Sequence, residues 1–257
     1  MTVVGRVAGA WRYPVKSFQG EAVDGLTFTD AGAVDDRLWG VVDTATGKVL
    51  TAKRWGALLT AAARLEAGGR VVLTLPDGAE HEAGDPTTDA VLSAWLDREV
   101  TLSRAPEEPL PYELTMDPTD DDSEVWDFAT PPGSFVDLAA AHLLTDASLA
   151  AARGLHPDGD WDVRRFRPSL LVEVGEGAGD GFVEDAWVGG VVRCGGAAFS
   201  PFMPAPRCAM PTRAQPGLPR DTAVSRALAD GHANNLGIYA QIHEAGRVQV
   251  GEPVTLA

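Results

Sequence analysis

The chain alternates short apolar runs with polar turns over much of its length, a pattern typical of β-strands. In the first third, the predicted strands are Val3–Trp11, Ala22–Phe28, Leu38–Asp43, Val49–Thr51, Ala61–Leu65 and Arg70–Leu75. In the second half, they are Leu170–Val174, Val188–Phe199, Tyr239–His243, Val248–Val250 and Val254–Leu256. Because strands and helices do not alternate regularly, a β-rich barrel or sandwich with added helices fits better than a doubly wound sheet.

Helical patterns are fewer. One helix is predicted at Asp89–Leu96, a second at Thr222–Asp230, and the stretch Phe135–Gly154 is helical in composition. Within that stretch, Thr145 or Asp146 is well placed to cap Ala147–Arg153. The segment Ala105–Gly133, rich in Pro, Asp and Glu, predicts a linker or a long surface connection between two halves.

The formal net charge of −16 argues against nucleic acid or an anionic membrane as a partner, because both bind clustered cations. No run approaches the roughly 20 apolar residues of a membrane span. The N-terminus lacks the layout of a secretory signal, so we expect a cytoplasmic protein. With only 21 Lys and Arg residues, any place where they gather is a candidate anion site.

Basic residues gather at three motifs. Lys16 and Ser17 follow the first strand and could cradle a phosphate, although a solvated turn lysine is the plainer interpretation. Arg37 and Arg54 flank a predicted hairpin, and paired arginines recognise oxyanions, but each is as readily a surface ion-pair residue. Arg165 and Arg167 would point to one side of an extended segment, where they face one anion or form two salt bridges.

Two cysteines have different surroundings. Cys194 lies in an apolar strand pattern, which predicts a packed thiol. Cys208 lies in the proline-rich stretch Ser200–Thr212, predicted to be an irregular loop, and the neighbouring charge of Arg207 favours the reactive, metal-binding thiolate. A Cys–His hydrolase, with His142, His232 or His243 as the base, stays open as an alternative, because such pairing is spatial rather than sequential.

Taken in order, these motifs resemble the MOSC (molybdenum cofactor sulfurase C-terminal) family with its N-terminal β-barrel companion. The residues that carry the resemblance are Tyr13–Ser17, Asp36–Arg37 before Trp39–Asp43, Arg165–Pro168, Pro206–Cys208 before Pro211–Thr212, and the closing segments Leu236–Tyr239 and Gly246–Val254. The chain is most similar to free-standing bacterial members and, through them, to the mitochondrial amidoxime-reducing component. The resemblance implies an α+β, β-rich fold: an N-terminal β-barrel-like domain at 1–110 and a MOSC-type β-barrel with added helices at 111–257.

The resemblance also implies the site. Cys208 would ligate molybdenum and serve in catalysis, Lys16, Ser17 and Arg37 would contact the pterin phosphate, and Arg167 would line the cofactor. Thr145 and Ser148 match a helix start that approaches the pterin. Arg54, Arg165, Ser169 and Arg207 complete the predicted set. Ser169 stands where the family commonly has Asn, and Pro206 where a polar residue is usual.

The implied function is a molybdenum cofactor-binding oxidoreductase that reduces N-hydroxylated small molecules. No flavin, haem or iron–sulfur motif is visible in the sequence, so the electrons would come from a separate flavin/iron–sulfur reductase. Two alternatives remain: a non-catalytic carrier of sulfur or cofactor that uses Cys208, and a degenerate member that acts as a binding module.

Overall fold

The computed structural model describes residues 1–115, 123–175, 177 and 179–257. Three α-helices are described: α1 (Thr88–Leu96), α2 (Asp146–Leu155) and α3 (Ala223–His232). The strands are β1 (Thr2–Arg12), β2 (Glu21–Val23), β3 (Gly25–Thr29), β4 (Gly32–Ala33), β5 (Trp39–Asp43), β6 (Ala62–Leu65), β7 (Val71–Thr74), β8 (Glu80–Glu82), β9 (Val100–Arg104), β10 (Pro111–Thr115), β11 (Val125–Ala129), β12 (Ala141–Thr145), β13 (Leu170–Val174), β14 (Val192–Cys194), β15 (Ala197–Pro206), β16 (Asn235–Glu244), β17 (Gly246–Gln249) and β18 (Pro253–Leu256). None of the helices in these ranges is long and apolar enough to cross a membrane.

Seven strands form a closed barrel. Their order is β13-β12-β16-β15-β14-β18-β1, and pairing of β1 with β13 closes the ring, while β2 extends β1 on one side. Alternate residues of these strands point inward and fill the barrel with apolar side chains, among them Val7, Leu143, Val172, Phe199 and Ile238. The predicted β-rich α+β fold with added helices is therefore confirmed.

The first strand belongs to this barrel. β1 pairs antiparallel with β13 at Gly5 opposite Val174 and with β18 at Thr2 opposite Leu256. The barrel therefore takes strands from both sides of residue 110. The division at that residue stays a prediction, and the sheet pairings cross it.

The rest of the first half builds smaller sheets, some of them around a second core. β5 pairs with β9, β6 to β8 form a three-stranded sheet, β3 pairs with β4 and β17, and β10 and β11 form a hairpin. The second core contains Val15, Phe18, Leu58, Leu73 and Leu92, the last contributed by α1. The turn that follows β1 enters this core through Val15 and Phe18. It thereby places the residues of the first basic motif between the two cores.

Two predictions about the middle of the chain need correction. Phe135–Gly154 is not helical throughout: Ala141–Thr145 is a strand, because its fully buried residues pair with β13 and β16, and only Asp146–Leu155 is helix. Thr145 caps that helix, as predicted, by accepting from the Ser148 amide at 3.0 Å. The segment Ala105–Gly133 contains the β10–β11 hairpin, and residues 116–122 lie outside the described residues.

The proline-rich stretch also differs from the prediction. Instead of an irregular loop, β15 continues to Pro206, with register shifts between Pro201 and Met203 and between Pro204 and Pro206. These shifts let the prolines, which have no N–H to donate, sit in the strand without disrupting the whole ladder. Besides β10, β11 and β12, the strands β4, β8 and β9 were not predicted, and the predicted strand residue Val49 forms only isolated bridges to Val42 and Tyr112.

Candidate functional site

A cleft of about 760 Å³, counting the space that is open to solvent, lies where the two cores meet. Its walls come from the turn after β1, the segment before β5, residues 51–53, the segment before β12, the segment before β13 and the turn after β15. The lining includes six basic side chains and one acidic one: Lys16, Arg37, Lys53, Arg165, Arg167, Arg207 and Asp137. Cys208, Ser17, Ser169, His142 and Tyr239 also line it. The predicted residues Lys16, Ser17, Arg37, Arg165, Arg167, Ser169, Arg207 and Cys208 thus come together in one cleft.

Backbone strain is concentrated here. Ser17, Arg37 and Arg167 have φ angles of 69°, 52° and 54°, in the left-handed region that disfavours side chains. Each is held by hydrogen bonds, and the Arg167 amide donates to Val163 O at 3.2 Å. The Arg37 amide donates to Tyr13 O at 2.7 Å, and Ser17 Oγ accepts from the Ala52 amide at 2.9 Å. Three such residues in one cleft indicate that the surrounding structure enforces a demanding local geometry for these polar side chains.

Two lysines share one carboxylate. Asp137 accepts from Lys16 Nζ at 2.5 Å and from Lys53 Nζ at 2.9 Å, and both ammonium groups lie 5.0 Å from the centre of the Tyr112 ring. Lys16 Nζ also donates to Phe135 O at 2.6 Å. Burial lowers the pKa of Lys16 to about 8, although Asp137 opposes the shift. Burial would raise the pKa of Asp137, but the two lysines outweigh it and lower that pKa.

Two arginines flank one aromatic ring. The guanidinium carbons of Arg37 and Arg167 lie 4.7 and 4.1 Å from the centre of the Tyr13 ring. Arg37 pairs with Asp36, and Arg167 Nη1 donates to Phe18 O at 2.6 Å. Burial, and then the charge of Arg37, lower the pKa of Arg167 to about 10. Two guanidinium groups held together at this cost indicate a site that stabilises negative charge.

Arg207 fixes the chain just before the thiol. Its guanidinium donates to Ala205 O at 3.0 Å, to Phe166 O at 3.3 Å and to the Tyr239 hydroxyl at 3.0 Å. Its backbone exchanges two hydrogen bonds with Asn234, at 2.8 and 2.7 Å. The half-buried Cys208 follows on this anchored backbone and faces the cleft.

Lys53 contributes positive charge near that thiol. Burial would lower the pKa of Lys53, but the charge of Asp137 first, and then the nearby Cys208, outweigh it and raise that pKa. The sequence predicted that the charge of Arg207 would favour the Cys208 thiolate. In the structure, the described hydrogen bonds of the Arg207 guanidinium go to the oxygens of Ala205, Phe166 and Tyr239.

Arg165 does not adopt the predicted arrangement. Val163–Arg165 is a 3₁₀ turn rather than an extended segment, so Arg165 and Arg167 do not present matching guanidinium groups to one anion. The Arg165 side chain donates to four backbone carbonyls, those of Asp160, Pro211, Arg213 and Pro219, at 2.8 to 3.2 Å. It is 1% exposed, so it holds the loops that form one wall of the cleft.

Three predicted residues lie outside the cleft lining. Arg54 lines a neighbouring cleft, with its Nε 3.7 Å from Glu113 Oε2. Thr145 and Ser148 are buried and donate to Glu184 at 2.6 and 2.5 Å, because this carboxylate sits at the start of α2. Their hydroxyl groups therefore support the helix end rather than the cleft.

Sequence reasoning missed Lys53, Asp137 and Tyr239. Lys53 is next to Arg54 in the sequence, so the basic motif was recognised, but Arg54 was selected as the site residue and Lys53 was not. Asp137 lay in a stretch predicted to be helical, and no feature of the sequence around it indicated that two lysines would meet there.

The histidines considered for a hydrolase do not support one. His142 lines the cleft, but Nε2 lies 3.1 Å from Leu236 O and the ring also bonds the Arg167 backbone. Burial and the charge of Arg207 lower its pKa well below the usual value. His232 pairs with Asp185 and His243 contacts Ser200, and neither lines the cleft.

Several solved structures align with this chain. The YUAD protein from Bacillus subtilis is 11% identical, with a TM-score of 0.50 over 98% of this chain and 95% of that one. A hypothetical protein is 11% identical, with a TM-score of 0.43 over 99% and 68%. YiiM from Geobacillus stearothermophilus is 14% identical, with a TM-score of 0.33 over 51% and 67%. None of the curated proteins compared with the chain matches it.

Family models cover most of the sequence. The model of the MOSC N-terminal beta barrel domain matches residues 4–108, and that of the MOSC domain matches residues 131–255. Together they include the turn after β1, both arginines that flank Tyr13, and the cysteine that faces the cleft. The chain belongs to the MOSC family, in the form that carries the N-terminal beta barrel domain ahead of the MOSC domain.

Proposed function

We propose that the cleft binds a molybdenum cofactor and that Cys208 supplies the protein's thiolate ligand to the metal. One observation carries the proposal: six basic side chains converge with a thiol on one cleft in a protein whose formal net charge is −16. Lys16, Lys53, Arg167 and Arg207 are each less than 8% exposed. Burying so many cations is costly unless an anion offsets their charge, and Asp137 is the one acidic residue among the described lining.

The residues present fit this cofactor. Molybdopterin carries a terminal phosphate, a dithiolene and oxo groups on the metal, so it is anionic at several points. Lys16, Ser17, Arg37 and Arg167 would hold the phosphate and pterin, and a thiolate is a soft ligand suited to a sulfur-ligated metal. Among the described residues, no group of three or more His, Cys, Asp or Glu side chains could hold a metal ion. Cys208 would thus act with ligands that the cofactor itself brings.

The activity that we propose is reduction of N-hydroxylated compounds. An amidoxime would be converted to the amidine and water, which consumes two electrons and two protons: the N–O bond breaks and the oxygen leaves as water. The bound cofactor supplies two-electron oxygen-atom transfer. A separate flavin/iron–sulfur reductase would supply the electrons. The chain's own residues hold the cofactor's charges, and Arg207 fixes the backbone that carries Cys208.

Metal content tests the binding step. The protein is expressed in a cofactor-competent host, and molybdenum and pterin are measured in the wild type, in Cys208→Ala and in Cys194→Ala. Cys194 is the matched control, because its thiol is fully buried in the barrel. We expect wild type and Cys194→Ala to carry molybdenum and Cys208→Ala to lose it. Absence of both metal and pterin from the wild type would reject the proposal.

Turnover tests the second step. The loaded protein is mixed with an amidoxime and an added flavin/iron–sulfur reductase, and formation of the amidine is followed. If loaded protein gives no turnover, this activity is rejected while cofactor binding stands. Mass spectrometry that shows a sulfur adduct on Cys208 without bound metal would favour a sulfur carrier instead.

A further inference from the structure

The cleft has an apolar part as well as a basic one. Val136, Leu138 and Ala139 contribute to the lining from the segment before β12, and Pro206, Met210 and Pro211 contribute from the chain around Cys208. Leu138 is 57% exposed, although it is a large apolar side chain in a concave site. Exposed apolar surface inside a cleft, beside convergent polar groups, is typical of a small-molecule site.

The exposure of Leu138 is built into the fold rather than the result of a loose segment. The Phe135 amide donates to Arg37 O at 2.8 Å, and Phe135 O accepts from Lys16 Nζ. Asp137, the residue before Leu138, accepts from both buried lysines. The backbone on the N-terminal side of Leu138 is therefore tied to the basic side of the cleft at several points, which keeps the leucine in the cleft lining.

Apolar groups also bracket the thiol along the chain. Pro206 lies two residues before Cys208 and Met210 two residues after it, and both line the cleft. Met210 packs partly against the core that contains Val15 and Phe18, which fixes its position. A ligand that reaches the Cys208 thiol therefore meets apolar surface on the chain around it, as well as the charges of Lys53 and Arg207.

From this arrangement we propose that Leu138 and Met210 form a subsite for the apolar body of the substrate, with Leu138 as a determinant of specificity. This inference rests on the proposed function and narrows its substrate class to uncharged N-hydroxylated compounds with an apolar body. A bound anionic cofactor would offset the basic side chains, so the apolar lining is what remains for the substrate to contact. A small polar compound with the same N–OH group gains nothing from that contact.

The experiment compares two probes that share an N–OH group, benzamidoxime with its flat apolar ring and the small polar hydroxyurea. Leu138→Ser is compared with Leu138→Met, which keeps the apolar side chain, and with Val250→Ser, a change at an apolar residue 43% exposed outside the cleft lining. KM with the reductase and Kd by calorimetry on the purified protein are measured for each probe.

We expect Leu138→Ser to lower the preference for benzamidoxime over hydroxyurea about tenfold, or about 1.4 kcal/mol, through KM and Kd rather than kcat. Leu138→Met and Val250→Ser should keep the wild-type preference. An equal change for both probes, no change, or no binding of benzamidoxime by the wild type would overturn the inference. Binding without turnover, still weakened by Leu138→Ser, would reject the activity but support the subsite.

Discussion

Arg165 offers the sharpest test of the distinction between a ligand-binding and a structural arginine. Its guanidinium makes four hydrogen bonds to backbone carbonyls, and three of these, at Pro211, Arg213 and Pro219, belong to the chain that follows Cys208. The side chain is 1% exposed. Arg165→Met keeps most of the apolar stem but removes every donor, which leaves four carbonyls without this partner.

The magnitude follows from those bonds. A hydrogen bond to a charged group contributes roughly 1.5–3 kcal/mol, so four would sum to about 6–12 kcal/mol if they were additive. Entry of water and relaxation of the loops offset part of this sum, and the lost desolvation penalty of the guanidinium offsets more. We therefore expect Arg165→Met to lower the free energy of unfolding by about 3–5 kcal/mol.

The assay is urea unfolding followed by tryptophan fluorescence. Arg164→Met is the matched control, because the neighbouring side chain is 40% exposed and pairs with Asp162 on the surface. Such an exposed pair contributes about 0–1 kcal/mol, so the control should unfold near the wild type. The reasoning is refuted if Arg165→Met also lies within 1 kcal/mol of the wild type. A stable Arg165→Met protein that has lost its cofactor would show that Arg165 contacts the ligand after all.

Three further outcomes are expected. Gly237→Ala should lower the free energy of unfolding by about 3 kcal/mol, because the new Cβ would lie 2.4 Å from His142 Nε2 at a φ of +77°. Gly189→Ala, at a φ of +84° with open space around it, should lower it by only about 1 kcal/mol. Equal losses of stability in thermal unfolding would contradict this expectation. Burial lowers the pKa of Lys16 to about 8, so the positive charge of Lys16 is lost as pH rises through that value. Sulfate should therefore bind more weakly at pH 9 than at pH 7 in calorimetry, and this difference should shrink in Lys16→Met. Equal or tighter binding of sulfate by the wild type at pH 9 would count against this expectation. Iodoacetamide should modify Cys208 alone in the native protein, because Cys194 is fully buried and burial raises the pKa of its thiol to about 12. An adduct on Cys194 found by mass spectrometry before unfolding would show this expectation to be wrong.

Local features of the fold could be predicted from the sequence. Thr145 was predicted as one of two alternative helix caps because capping depends on residues within one turn. The strand just before it was missed, because the alanines at 139–141 and the leucines that follow suit a helix equally well, and the strand exists only through pairing with β13 and β16. The extension of β15 across its prolines depends on bulges that a partner strand imposes, and no local rule reveals those.

The site shows the same limit at the level of single side chains. The motifs located the basic residues, but they could not tell where each side chain is directed. Lys53 faces it where Arg54 was chosen, and Arg167 lies against Tyr13 where Arg165 turns to backbone carbonyls. The direction of each side chain follows from a turn or a bridge to a distant strand, and these contacts form only in the folded chain.

The pairing of β1 with β13 and β18 has a consequence for synthesis and for expression of parts. The barrel cannot close on the ribosome until residues 253–256 have emerged, so β1 must wait for a partner nearly the whole chain away. Contacts of such long sequence separation slow folding and leave a strand edge exposed meanwhile. A fragment that begins at residue 111 would have the same gap permanently, between β13 and β18, and would offer that open edge to other chains.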